Sequence, residues 1–291
     1  MKKKEVVLVI GLGEVGRPIF EILRESGKFI VYGFDTNEQK MRELGQNSDA
    51  LPDYCNIMHV CIPCVSKEEF TTITVNYAKK FKPELIIVES TVPPGTTFHI
   101  YKNYGHLVAH SPIYGTHKSL DYMKWEIRRW TKIVGGVNEE SARVACQHFK
   151  KAGIKTRKLK SQNETELVKL LETIYSAWMI VFFQEMHRIS KHFGADFDEI
   201  VSAIEDIHRV RLDRPIWYPG VIGGHCLIPN TELLLKAHDS EFLRLILKSN
   251  EKRKREMEDE NVRIEVEKVK KRVEALKKEL IRDFRTSKVD N

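Results

Sequence analysis

The sequence of 291 residues predicts an α/β protein: a doubly wound parallel sheet, followed by an all-helical domain and a long C-terminal helix. Three observations predict it. Up to about residue 157, short apolar runs of strand length alternate with helical periodicity, as in a sheet covered on both faces. From about 162 the strand pattern stops, and ETELVKLLETIYSAWMIVFFQEMHRISKHFG reads as one helix that is apolar on most faces. From about 239 onward there is neither Gly nor Pro, and Lys, Arg and Glu dominate. The boundaries expected are therefore 1–157, 158–238 and 239–291.

The first element carries the strongest local signal. Val6 to Ile10 form a buried strand that runs into Gly11, Gly13 and Gly16, the pattern G-x-G-x-x-G at a strand-to-helix turn. Gly11 permits the tight turn, Gly13 lets backbone approach a pyrophosphate, and Gly16 lets the helix lie close to the sheet. Asp35, nineteen residues after Gly16, ends the second strand, where a carboxylate accepts hydrogen bonds from ribose hydroxyls and repels a 2′-phosphate. Together these features predict a Rossmann domain that binds NAD rather than NADP, with Gly11, Gly13, Glu14, Val15, Gly16 and Asp35 at the cofactor. The phosphates would rest on the helix N-terminus, where unpaired N–H groups favour negative charge.

Further strands are expected at 29–34, 57–62, 85–89, 106–109, 131–135 and 154–158, with helices at 14–26, 37–45, 67–80 and 138–152. Loops at the C-terminal ends of the strands would carry the chemistry. After the long helix, closed by Gly194, DFDEIVSAIEDI forms a second one capped by Asp196 or Asp198. A loop rich in Arg, Pro, Trp and Gly follows at 208–224. In the tail, Val262, Val266, Val269, Val273, Leu276 and Leu280 step by four and three. Such a seam serves a short coiled coil or packing along the chain's own body equally well. Residues 286–291 are expected to fray.

Composition narrows the classes. Charged residues make up 31% and hydrophobic ones 42%. No apolar run reaches the roughly 18 residues that span a bilayer. The basic start MKKKEVVLVIGLG leads directly into the glycine turn and so reads as a strand, not a signal peptide. Five cysteines without framework spacing suit a reducing cytoplasm. The net charge of +7 is spread over helix faces among glutamates, the texture of a solvated surface rather than of a nucleic-acid footprint. Neither nucleic acid nor membrane is an expected partner.

Several segments carry candidate chemistry. In GVIGGHCLIPN, Gly223 and Gly224 let backbone crowd a ligand while Cys226 stays reachable as a nucleophile, and His225 stands beside it. An apolar filler is the plain alternative for Cys226. Lys169, among Leu167, Val168, Leu170 and Leu171, suits an oxyanion partner or a snorkelling surface lysine. Thr91, in ESTVPPGTT after the fourth strand, directs a hydroxyl at the crevice or sits in an ordinary turn. Arg209, Arg211 and Arg214, with Trp217 and Tyr218 nearby, suit an anionic substrate or a solvated loop. Cys61 and Cys64 make a lone C-x-x-C without a second pair, so no metal is expected. The loop with Cys61 and Pro63 is read as lining the adenine side of the cofactor site.

In this order behind the glycine turn, the segments resemble the NAD-dependent nucleotide-sugar 6-dehydrogenases, the UDP-glucose/GDP-mannose dehydrogenase family. STVPPGTT is similar to the family's S-T-V-P-x-G-T, GGHC to its cysteine loop, ELVKLLE to its E-x-x-K helix, and LKSNEKRKREM to the helix after the cysteine loop. The resemblance covers roughly 1–257. It implies oxidation of a primary alcohol to a carboxylate with two NAD. Cys226 would attack the aldehyde, Lys169 would stabilise the oxyanion, Ser90 and Thr91 would contact the cofactor, and the long helix would form a homodimer.

The departures are specific. The family usually has Asn where this chain has Thr173, and Asp where it has Asn230. The Glu of its S-P-E segment is replaced by Ile113 in HSPIYG. A helical tail stands where the family's third, nucleotide-binding domain would follow. Two other readings therefore stay open. One is an NAD-binding relative with weakened catalysis that acts as a sensor or assembly component. The other is a single hydride transfer of the prephenate type with His110 as base, since a histidine at a strand end titrates near neutrality.

Overall fold

The first strand is Val-rich and buried from Val7 onward, and the sheet grows on both sides of it. In the computed structural model, which describes residues 4–115 and 119–286, seven strands lie in the order β2-β1-β3-β4-β5-β6-β7. They are β1 (Glu5–Ile10), β2 (Phe29–Phe34), β3 (Ile57–Val60), β4 (Leu85–Val88), β5 (Leu107–His110), β6 (Lys132–Gly136) and β7 (Thr156–Lys158). Strands β1 to β5 are parallel, in the register Val7↔Ile57, Ile57↔Leu85 and Leu85↔Leu107. The sheet departs from the expected all-parallel form at one place: β6 runs antiparallel to β5, pairing Ala109 with Gly136, and β7 is parallel to β6. Strand-and-helix alternation does not encode the end from which a strand re-enters the sheet.

Both faces of the sheet are covered, which explains why its strands read as continuous apolar runs. Helices α1 (Gly16–Glu25), α5 (Leu120–Arg129) and α6 (Glu139–Lys151) supply the core of one face, where Ile19, Phe20, Leu23, Met123, Ile127 and Phe149 meet Val7, Val9 and Ile87. Helices α3 (Lys67–Phe81) and α4 (Thr96–Tyr104) cover the other, with Phe70, Ala78, Phe81 and Ile100 against Leu8, Ile10 and Val88. The short α2 (Glu38–Glu43) is capped by Asn37, whose side chain accepts the Gln39 N–H. Helices α4 and α5 were absent from the sequence expectation.

The chain divides into two compact units, Met1–Leu171 and Glu172–Asn291, and the division falls within α7 (Gln162–His192). The second unit holds α8 (Phe197–Arg211), capped by Asp196, then α9 (Leu227–Ala237), α10 (Glu241–Glu256) and α11 (Glu260–Thr286). The single tail helix expected from 239 is thus two helices. Asp259 explains the break, since its side chain accepts the Asn261 N–H at 2.8 Å and starts a new helix without Gly or Pro.

The valine seam of α11 is buried. Val269, Val273 and Leu276 join Phe183, Phe197, Val201 and Ile216 in one core, and Val262 and Val266 are also buried. Of the two uses open to the seam, packing along the chain's own body is the one observed. Arg272 locks the register with a bidentate pair to Asp198, both distances 2.8 Å. The side chain of Leu280 and residues 287–291, where fraying is expected, lie outside the described set.

Candidate functional site

The glycine turn is shaped as its residue types require. Gly11 has φ +87°, and a Cβ there would stand 2.7 Å from the Cys61 carbonyl oxygen. A Cβ on Gly16 would stand 1.7 Å from the Gly11 oxygen, so neither position admits a side chain. Gly13 differs: a Cβ there would meet nothing within 4 Å. That open side belongs to a cavity of about 560 Å³ whose wall includes Gly13, Glu14, Arg17, Asn37, Lys40 and Ser119. Val15 precedes α1 and packs against the core below.

Asp35 closes the turn. Its Oδ2 accepts the Leu12 N–H at 2.7 Å, its Oδ1 accepts the Asn37 N–H at 2.8 Å, and the Lys40 ammonium stands 3.8 Å away. The carboxylate therefore has a fixed direction at the end of β2 beside the glycine turn. Cys61 follows β3 at the point where the strand order reverses, where ligands of open α/β sheets bind. Burial pushes its thiol well above the ordinary range, which makes it inert at neutral pH. Burial likewise raises the partly buried Cys64 to about 12, and Pro63 between them is exposed. Among the described residues no group of three metal-ligating side chains occurs.

At the end of β4, Ser90 donates to the Ile62 carbonyl at 2.6 Å and ties two crevice loops together. Thr91 follows, half-buried, in the turn that leads to α4. Glu166 of α7 fixes that turn: its carboxylate accepts the Gly95 N–H at 2.6 Å, the Thr97 N–H at 2.8 Å and the Thr97 hydroxyl at 2.6 Å. Burial raises the Glu166 pKa against these lowering hydrogen bonds. One turn further along α7, the Lys169 ammonium lies 5.0 Å from the centre of the Tyr114 ring, a cation–π distance.

His110 ends β5 fully buried. Nε2–H donates to the Ser90 carbonyl at 3.1 Å and Nδ1 accepts from the Thr165 hydroxyl at 2.9 Å. Burial lowers its pKa to about 4, so the ring is neutral and both nitrogens are engaged. This arrangement holds loops together and leaves no nitrogen directed at solvent. Ile113 lies in the apolar core with Met123 and Ile127.

Behind these loops lies a cluster that the sequence reading missed. Glu89, fully buried, accepts from the Lys132 ammonium at 2.6 Å and from His59 Nδ1–H at 2.9 Å. Lys132 also donates to the Ser111 and Pro112 carbonyls at 2.7 and 3.3 Å. His148 Nε2 stands 2.8 Å from His59 Nε2. Burial alone would raise the Glu89 carboxyl, but Lys132 and His59 outweigh it and hold it below its ordinary value. His148 is pushed well below its own, by burial first and then by His59. The cluster ties Glu89, the residue before Ser90, directly to β3 and β6.

In the second unit, Cys226 stands at the N-terminus of α9, where unpaired N–H groups favour negative charge, and is partly exposed. Gly224 before it has φ +78°, and Gly223, Gly224 and His225 are exposed. The loop is gripped from behind. Asn250 of α10 accepts the Ile222 N–H at 2.7 Å and donates to its carbonyl at 3.2 Å. Gln184 of α7 donates to the Gly220 carbonyl at 2.7 Å. Below them lies the fully buried Arg253, which donates to the Gln184 carbonyl at 3.0 Å and whose pKa burial lowers to about 10. These supports come from two distant helices, α7 and α10.

Thr173 and Asn230 are brought together: Asn230 Nδ2 donates to the Thr173 hydroxyl at 3.0 Å, and both are buried. The three arginines are not brought into one cluster. Arg209 is paired with Glu205 at 2.7 Å, whereas Arg211 and Arg214 line a shallow hollow of about 480 Å³ with Asp206, Ile207 and Val210. Arg214 also pairs with Asp213 at 2.6 Å.

Comparison with known proteins agrees with the motif resemblance. Residues 163–252 match the profile of the UDP-glucose/GDP-mannose dehydrogenase family, central domain. The chain is 29% identical to UDP-N-acetyl-D-mannosamine dehydrogenase of Methanocaldococcus jannaschii, over 91% of this chain and 68% of that one. For the enzyme of the same name from Methanococcus maripaludis (strain C7) the values are 26%, 84% and 65%. The chain thus spans about two thirds of the length of these relatives. In fold it is similar to UDP-D-ManNAc dehydrogenase from Pyrococcus horikoshii, with TM-score 0.70 and 23% identity over 84% of this chain and 68% of that one. It is also similar to 3-hydroxyisobutyrate dehydrogenase from Mycobacterium tuberculosis, with TM-score 0.64 and 15% identity over 88% and 95%.

Proposed function

From this kinship with the UDP-glucose/GDP-mannose dehydrogenases, we propose that the chain is an NAD-dependent oxidoreductase acting on a CH–OH group of an anionic, nucleotide-sugar-like substrate. The observation that carries the reading is the glycine turn. Gly11 and Gly16 are closed by backbone, Gly13 alone of the three lines the cavity, and Asp35 holds the Leu12 N–H of the same turn. These residues fit a dinucleotide: Gly11, Gly13, Glu14, Val15, Gly16 and Asp35 would hold its phosphates and ribose, with Cys61, Pro63, Ser90 and Thr91 along the crevice. When bound, NAD supplies the acceptor for hydride.

The chain's own groups then take these roles. Cys226 adds through its sulfur to the substrate aldehyde to give a thiohemiacetal, which after loss of hydride is a thioester that water cleaves to the carboxylate and free thiol. The alcohol-to-acid conversion therefore consumes two NAD in all. Lys169 balances the developing oxyanion. Arg211 and Arg214, exposed at their hollow, and Arg209 supply cations for an anionic substrate, with Gly223, Gly224 and His225 giving close approach beside the thiol.

A second reading rests on the buried Thr173–Asn230 pair and the apolar setting of Ile113. The pair contains no carboxylate to take up a proton, which favours an NAD-binding relative with slowed or shortened chemistry. The prephenate-type use of His110 has less support, since both its ring nitrogens are engaged. Measuring NADH formation with panels of UDP-sugars, sugar phosphates and hydroxy acids separates these readings. Two NADH per substrate, lost in Cys226→Ala, supports the first. NAD binding without turnover supports the second, and turnover sensitive only to His110→Ala supports the third.

A further inference from the structure

The cavity beside Gly13 holds a cation that the glycine motif does not call for. Arg17, in the first turn of α1, lines the same wall as Gly13, and its N–H bonds the Gly13 carbonyl at 3.0 Å. Its guanidinium is loosely held. Nη1 is 3.5 Å from Glu43 and Nε is 3.6 Å from Glu21, while its side chain is 40% exposed. Arg42–Glu38, Arg128–Glu25 and Arg143–Glu140, by contrast, close to 2.7, 2.6 and 2.6 Å, the ordinary range for a charge-assisted bond. Arg17 Nε is also shielded from solvent without a hydrogen-bond acceptor. Lys40, the other cation on this wall, is directed instead toward Asp35.

We propose that Arg17 is the residue that receives the phosphates of the bound dinucleotide, and that Glu43 only holds it while the site is free of ligand. This rests on the dinucleotide reading given above and names a determinant of its affinity. A planar fork with two long ion contacts gives up little when it turns to a phosphate, which offers shorter and doubled bonds. Gly13 supplies the room on the same wall.

Titration calorimetry with ADP-ribose, which carries the phosphates, and with adenosine, which lacks them, tests the assignment. Arg17→Leu is expected to weaken ADP-ribose binding by about ten- to a hundredfold, as for loss of one charged hydrogen bond, and to leave adenosine unchanged. Glu43→Gln is expected to bind ADP-ribose as well as the parent chain or better. ADP-ribose affinity unchanged in Arg17→Leu would overturn the assignment while leaving the dinucleotide reading intact. So would equal losses for both ligands, or a loss in Glu43→Gln as large as that in Arg17→Leu. A parent chain that binds neither ligand would overturn both.

Discussion

Glu89 shows how much a single residue can rest on partners far away in sequence. Its carboxylate is wholly enclosed, and Lys132, 43 positions downstream, provides the main counter-charge. Lys132→Met would leave that charge buried and uncompensated, a loss of about 3–5 kcal/mol that thermal unfolding would register. The pH dependence has a definite sign. The folded-state pKa of Glu89 is depressed, so its contribution is present above the unfolded value of about 4.3 and disappears as pH falls through the folded value. Melting temperature should therefore drop on the acid side of the ordinary glutamate range, and not on the alkaline side. The glycines of the turn were legible in the sequence because their constraints are local: Gly11 and Gly16 close on backbone of the turn itself or of the loop after the adjacent strand, and Gly13 is left open. Glu89, His59, Lys132 and His148 were not, because only the sheet order and the packing of α6 on the sheet make them neighbours. The open loop before Cys226 was legible from its glycines, whereas its supports Gln184, Asn250 and Arg253 were hidden in helices that read as apolar or merely charged.

At the scale of elements, periodicity identified most helices and every strand, and it failed where ends and directions matter. The valine seam of α11 was evident, but its partner was not, since a stripe at heptad spacing looks the same against another chain or against α8. Leu276→Ala removes part of that core and should cost roughly 2–5 kcal/mol, measured by denaturant unfolding. A loss of cooperativity with protein concentration, rather than of intrinsic stability, would instead indicate an intermolecular seam. Helices α4 and α5 went unseen because Pro, Gly and Thr crowd the start of one and Trp, Arg and Lys fill the other. Their starts are set by Gly95 with φ +86° and by Ser119, whose hydroxyl accepts the Tyr122 N–H at 3.2 Å.

For the molecule as a whole, α7 presents a second apolar stripe. Tyr175, Phe182 and Ile189 recur every seven residues and are 58, 49 and 52% exposed, with Phe193 at 77%. A row of this kind on one helix face supports the proposed homodimer. The double variant Phe182→Asp, Ile189→Asp is expected to sediment as a monomer where the parent chain sediments as a dimer. A parent chain that is itself monomeric at micromolar concentration would contradict the dimer. No helix among the described residues is long and apolar enough to cross a membrane.

The central claim is that a dinucleotide lodges on the open side of Gly13, and Gly13→Val tests it most directly. A Cβ there meets no protein atom within 4 Å, so the fold and its melting temperature should stay as they are, while the space for the pyrophosphate is filled. Calorimetric titration with NAD should give saturable binding for the parent chain and none for this variant. Equal binding by both, with melting unchanged, would contradict the account.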